Sequence, residues 1–183
     1  LWPAGANFHG ANVLFGCHDS HLYCLSADGK KVWAAKVEGP IAAAAAVVGD
    51  TTFATGCSDG VLRAFDAKTG KELGALELGG ETVTTAAIAG DRVYQSMISN
   101  SVVGGNVKDL KKLWTYTPAA RQQPFYSSAA VAGGVVVAGS RDKRLYAIDA
   151  ATGKQLWSFA AAGQIDASPV VVNGRVYVGS CDD

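Results

Sequence analysis

Short apolar or small-residue runs recur along the chain, each cut by a turn rich in glycine, aspartate or asparagine. Ile41-Ala-Ala-Ala-Ala-Ala-Val-Val48, Val83-Thr-Thr-Ala-Ala-Ile88, Tyr126-Ser-Ser-Ala-Ala-Val131 and Ser168-Pro-Val-Val-Val172 run up to Gly49-Asp50, Gly90-Asp91, Gly133-Gly134 and Asn173-Gly174. Such pairs adopt positive φ readily and close two-residue hairpins. A second apolar run follows each turn and stops at a Gly-Cys-x-Asp or Gly-Ser-x-Asp corner. A third run alternates, as in Leu145-Tyr-Ala-Ile-Asp149, and a turn such as Ala151-Thr-Gly153 leads to a fourth, Gln155-Leu-Trp-Ser-Phe159. Alternation with period two is the pattern of a strand. No stretch combines a helical period with caps. The alanine run at 41–46 is expected to be strand, because its counterparts are rich in Val, Thr and Ser and tertiary context overrides propensity.

The corners align with one another. Val13-Leu-Phe-Gly-Cys-His-Asp19, Phe53-Ala-Thr-Gly-Cys-Ser-Asp59, Val136-Val-Ala-Gly-Ser-Arg-Asp142 and the segment from Tyr177 to Asp182 share a register, with a degenerate copy at Tyr94 to Ser99. The aspartate column therefore falls at 19, 59, 99 (serine), 142 and 182, in steps of 40, 40, 43 and 40 residues. Four short strands with tight turns, repeated at this period, predict an all-β β-propeller of four-stranded antiparallel blades. The blades are expected at roughly 1–36, 41–78, 83–117 and 126–160, with a half-blade at 165–183, about four and a half in all. The opening segment Leu1–Gly10, with Pro3 and Gly5, reads as irregular. The half-blade would have to displace it if the chain closed a four-bladed ring alone. The favoured expectation is one partial propeller within a larger ring, completed by further chain or by a second copy.

Composition narrows the function classes. Sixteen basic and sixteen acidic residues in 183 leave no net charge, so no basic excess exists to hold nucleic acid or an anionic membrane. The longest apolar run, Ile41–Val48, is too short to insert into a bilayer. Hydrophobic residues at 49% exclude disorder. Four cysteines (Cys17, Cys24, Cys57, Cys181) form no Cys-x-x-Cys pair and are too few for a disulfide framework. That favours a reducing compartment, the cytoplasm ahead of the periplasm, with the periplasm left open.

Ala147-Ile-Asp149-Ala-Ala-Thr152-Gly153-Lys-Gln-Leu-Trp157 resembles the tryptophan-docking motif of quinoprotein-type propellers built from PQQ-like repeats. Blade two keeps Ala64, Asp66, Thr69 and Gly70 but has Gly74 in the tryptophan column. Blade one keeps Trp33 after the shorter turn Ala27-Asp28-Gly29. Blade three keeps Trp114, with Asn106 and Leu110 replacing Asp and Gly. In such a turn the glycine permits positive φ, Asp and Thr bond nearby amides, and the indole presents a broad face to the next blade. Its burial contributes on the order of a few kcal/mol. Without that ring, blade two is expected to make the weakest joint, with faster amide exchange there than in its neighbours. The resemblance extends to outer-membrane assembly propeller lipoproteins and, through Val13–Cys24, to the C-terminal propeller of proteins like aminoadipate-semialdehyde dehydrogenase. The latter implies an intracellular, eukaryotic-type setting.

Candidate chemistry is sparse. Cys17-His18-Asp19-Ser20-His21-Leu-Tyr-Cys24 is dense in metal-ligating types, but its spacing is not that of a zinc site, and alternation sends residues 22 and 24 to the opposite face from 21 and 23. Cys17 and Cys57 are expected to be buried free thiols. Asp19, Asp59, Asp142 and Asp182 are read as fixing their own turns. Lys108–Lys112 is read as solvated surface, His9 as part of the irregular opening, and Arg121-Gln-Gln-Pro-Phe125 as an exposed contact loop. No residue is assigned a catalytic, cofactor-binding or metal-binding role. The expectation is a non-catalytic interaction scaffold with a protein partner or a second copy of the chain, and neither nucleic acid nor membrane insertion. The alternatives are the propeller portion of a quinone (PQQ)-dependent dehydrogenase or of an acyl-adenylating enzyme. The quinone enzymes are expected to show an adjacent cysteine pair, a calcium site and a catalytic aspartate. A ligand-binding or glycan-binding propeller is a further class, set against the small residues of the innermost strands.

Overall fold

The computed structural model describes residues 5–119 and 121–182. Its regular structure among these residues is all β. β1 (Ala6–His9), β2 (Asn12–Gly16), β3 (His21–Leu25) and β4 (Lys31–Lys36) form the first antiparallel sheet. β5 (Ala46–Val48), β6 (Thr51–Thr55), β7 (Val61–Asp66) and β8 (Glu72–Glu77) form the second. The third holds β9 (Ala87–Ala89), β10 (Arg92–Met97), β11 (Ser101–Asn106) and β12 (Lys111–Tyr116). The fourth holds β13 (Ala130–Ala132), β14 (Val135–Ser140), β15 (Arg144–Asp149) and β16 (Gln155–Ala160). β17 (Val170–Val172) pairs with β18 (Arg175–Tyr177). Within every sheet the strands follow chain order. By contact clustering the chain divides into two compact units, 1–85 and 86–183.

The hairpin turns obey the expected chemistry. Gly49, Gly90, Gly133 and Asn173 all have positive φ. The residue after the column aspartate or serine is also left-handed in each of the four full sheets: Ser20, Gly60, Asn100 and Lys143, with φ of 70, 66, 68 and 70°. Only one of them is glycine, so three sheets tolerate a conformation that disfavours a Cβ.

Two expectations need correction. The first strand of each sheet is only three or four residues long, not the six to eight of the apolar runs. The residues ahead of it stitch one sheet to its neighbour instead. The Ala44 amide donates to Thr85 Oγ1 at 3.2 Å, and the Ser128 amide to Ser168 Oγ at 3.0 Å. The second correction concerns the opening. Leu1–Ala4, including Pro3, lie outside the described residues, but Ala6–His9 is a regular strand in register with Asn12–Phe15. The inner edge of β2 is thus already taken. His9, at the end of β1, bonds Asp50 through Nε2 at 2.9 Å, and Lys68 Nζ reaches the other Asp50 oxygen at 2.7 Å.

Buried side chains lie between consecutive sheets. In the first unit Leu14, Leu22, Cys24 and Trp33 pack on Ile41, Ala45, Ala54 and Phe65. In the second, Tyr94, Val102 and Tyr116 pack on Val136, Tyr146 and Ile148. Val137 and Leu145 meet Ile165 beyond the fourth sheet.

Candidate functional site: the sheet joints and their turns

Each outer strand carries a β-bulge at the same place. Trp33 pairs with Cys24 and Lys31 with Leu25, leaving Val32 as the extra residue. Leu73, Leu113 and Leu156 are the extra residues of β8, β12 and β16. A bulge re-aims the side chain beside it. Here that residue is the docking tryptophan, or Gly74 in the second sheet.

The docks are built from both sides of a joint. Trp33 Nε1 donates to Ala67 O at 3.1 Å, and Trp114 Nε1 donates to Ala150 O at 3.1 Å. Under the rings lie Gly70 and Gly153, where a Cβ would come within 2.6 Å of Trp33 and 2.6 Å of Trp114. Those glycines are required twice over, by positive φ and by the ring above them.

Asp66 and Asp149 hold the turns. The Asp149 carboxylate accepts from the Thr152 hydroxyl at 2.7 Å, the Thr152 amide at 2.7 Å and the Ala151 amide at 3.1 Å. Asp66 repeats this with Thr69 and the Lys68 amide. The threonine hydroxyl first, then the amides, hold both carboxyls below the usual carboxylate range. Asn106 supplies the same acceptor in the third sheet, bonding the Lys108 amide at 2.8 Å, with Leu110 at φ 52° in the glycine column. A lowered folded pKa contributes stability above the unfolded value of about 3.9, and that contribution is lost as pH falls through the folded value. Asp149→Asn keeps the turn, as Asn106 does, and is expected to flatten the acid limb of stability below about pH 4. Thermal melts across the acid range check this, and an acid limb as steep as wild type would count against it.

The column aspartates fix their own corners as expected. Asp19, Asp59 and Asp142 accept from the amides of His21, Val61 and Arg144 at 3.1, 3.0 and 3.0 Å. Each also takes a bond that the sequence reading missed, from the side chain four residues on: Tyr23, Arg63 and Tyr146. The Tyr23 hydroxyl is the main cause of the lowered Asp19 pKa. Burial pushes the neighbouring Tyr116 hydroxyl up to about 12, and it donates to Gln155 Oε1 at 2.6 Å.

The Gly-Cys/Ser-x-Asp corner has a second role across the joint. Cys17, Cys57, Met97 and Ser140 carbonyls accept from the amides of Ile41, Thr82, Phe125 and Ile165. Gly16 and Gly139 carry no side chain because Ile41 and Ile165 lie on them. Phe125 stands at the same position and is fully buried. The 121–125 insertion is therefore exposed only at Arg121–Gln123 and anchored at Phe125, a correction to its reading as a free contact loop. At the next joint Arg141 stacks on Tyr126, 3.8 Å from the ring centre, and grips Asp166 bidentately at 2.8 to 3.2 Å.

The remaining candidates separate. Leu22 and Cys24 are buried while His21 and Tyr23 stay partly exposed on the other face. Among the described residues no group of three His, Cys, Asp or Glu is placed to hold a metal ion. Cys17 and Cys57 are free thiols but only half-buried, because they sit on corner turns and not on strands; Cys181 is exposed. Lys108 is solvated and pairs with Asp91 at 2.7 Å. No helix of the described residues is long and apolar enough to cross a membrane.

A family model described as outer membrane protein assembly factor BamB matches residues 18–132 and 118–183. The chain belongs to this BamB family. The crystal structure of BamB from Moraxella catarrhalis superposes with a TM-score of 0.81 at 22% identity, covering 97% of this chain and 54% of that one. The fold is therefore that of a β-propeller built from PQQ-like repeats, as the period and the docking motif imply. A computationally designed protein, Ika8, superposes with a TM-score of 0.79 at 19% identity, with 96% and 54% of the two chains covered. Among curated relatives, quinohemoprotein alcohol dehydrogenase ADH IIB of Pseudomonas putida is 33% identical over 101 residues, 48% of this chain and 15% of that protein. Tetrathionate hydrolase of Acidithiobacillus ferrooxidans is 30% identical over 189 aligned residues, 86% of this chain and 37% of that protein. The BamB-like chain thus spans well under half the length of these curated relatives.

Proposed function

We propose that this chain is a non-catalytic protein-interaction scaffold, part of a larger BamB-like propeller. The observation that carries this reading is where the reactive side chains go. Asp19, Asp59, Asp66, Asp142 and Asp149 are each engaged by the amides and side chains of their own corners, so the repeat spends its carboxylates on architecture. The family's description as an assembly factor supports the same reading. In this reading the blades at 1–36, 41–78, 83–117 and 126–160 and the half-blade at 165–183 form one partial propeller. The span of 54% of the BamB chain supports that extent.

The dehydrogenase relatives imply a quinone cofactor, and the described residues do not fit one. Cys17, Cys24, Cys57 and Cys181 are separate free thiols, not an adjacent pair. The acids that would have to ligate calcium are committed to turns. No chemical step is derived through the quinone. Incubating the protein with pyrroloquinoline quinone and calcium, then adding a primary alcohol and a redox dye, is expected to give no spectral shift and no dye reduction. Dye reduction above the protein-free rate would overturn the scaffold reading.

A further inference from the structure

The outermost strands of the four-stranded sheets differ in charge. β4 begins with Lys31 and ends with Lys36, β8 begins with Glu72 and ends with Glu77, and β12 opens on Lys111 and Lys112. β16 carries no charged residue, and the chain stays uncharged through Gly163. Each of these strands pairs within its sheet on one side only, so its other edge presents unpaired N–H and C=O groups. Charges along an edge are a device against pairing with another chain. All four strands share the bulge, so the bulge does not distinguish them; the charges do.

The placement of those charges shows what they oppose. When a strand pairs antiparallel with its own copy about a two-fold axis, its first residue faces the last residue of the copy. In β4 that sets Lys31 against Lys36 of the second copy, and in β8 it sets Glu72 against Glu77. Like charges directly opposite one another are destabilising. In β16 the same register sets Gln155 against Ala160, Leu156 against Phe159 and Trp157 against Ser158, with no charge repelled. Leu156 and Phe159 are 51% and 62% exposed, so the pairing would cover two apolar side chains on each copy. We propose that the outer edge of β16 is a self-association edge, through which two copies of the chain pair β16 antiparallel to β16 in an isologous dimer. This inference is independent of the scaffold reading.

Sedimentation equilibrium over a range of concentrations tests it. The chain is expected to pass from monomer to dimer as concentration rises. Gln155→Lys with Ala160→Lys gives β16 the lysine arrangement of β4 and creates two like-charge pairs. It is expected to raise the dimer dissociation constant about tenfold or more. Gln155 accepts a bond from Tyr116, so Leu156→Lys serves as a second variant that spares it, with far-ultraviolet circular dichroism reporting the fold of both. A chain monomeric at every concentration, or a dimer unmoved by both variants, overturns the proposal. So does a chain that stays monomeric alone and binds at β16 only a strand from a different protein.

Discussion

Trp33→Ala is expected to destabilise the first two sheets by about 3–5 kcal/mol, the range for truncating a buried aromatic. Trp33 is 8% exposed, lies over Gly70 and donates to Ala67 O. Its loss leaves a void between Leu22, Cys24 and Phe65 and strips a buried carbonyl of its donor. Against a typical total of about 5–15 kcal/mol, such a loss changes the folded fraction visibly. Trp33→Phe keeps most of the ring but not the N–H, and is expected to cost nearer 1 kcal/mol from the hydrogen bond alone, plus a smaller packing loss. Urea denaturation of the three proteins measures the order. A loss under about 1 kcal/mol for the alanine variant would mean that the backbone stitches from Ile41 and Pro40 hold the joint without the indole.

The parts of this fold that were legible in the sequence are those in which one residue type has no substitute. The column aspartate recurs because a short acceptor must reach an amide two residues on. Thr-Gly and Trp recur because the ring needs a turn without a Cβ beneath it. The joint anchors were not legible. Ile41, Thr82, Phe125 and Ile165 occupy one structural position, but they share only a backbone amide, and a backbone role leaves no signature in side-chain type. For the same reason the apolar runs overstate the inner strands, since Ile41 and Ala45 are as buried in a loop as they would be in a sheet. Tyr23, Arg63 and Tyr146 escaped notice because a phenol and a guanidinium do the same work at the corner. Function is less legible still: a repeat whose acids serve its own turns encodes the scaffold, and the scaffold alone does not choose among activities.

The second dock allows the backbone and steric demands on a glycine to be measured apart. Gly153→Ala is expected to cost about 3 kcal/mol or more, from about 1–2 kcal/mol for a Cβ in the left-handed region and a further 1–3 kcal/mol for overpacking. Its φ is 73°, and the added carbon would stand 2.6 to 2.8 Å from three atoms of the Trp114 ring. Gly174 has the same φ of 73° with nothing within 4 Å of the added carbon, so Gly174→Ala reports the backbone penalty by itself. The difference between the two alanine variants is the price of the ring. It should vanish in a Trp114→Ala background, where Gly153→Ala is expected to fall to the Gly174→Ala value. Equilibrium unfolding of the four variants gives the coupling directly. Additive losses would show that the Trp114 ring yields freely to the new methyl, and that the Thr-Gly turn is selected for its backbone conformation alone.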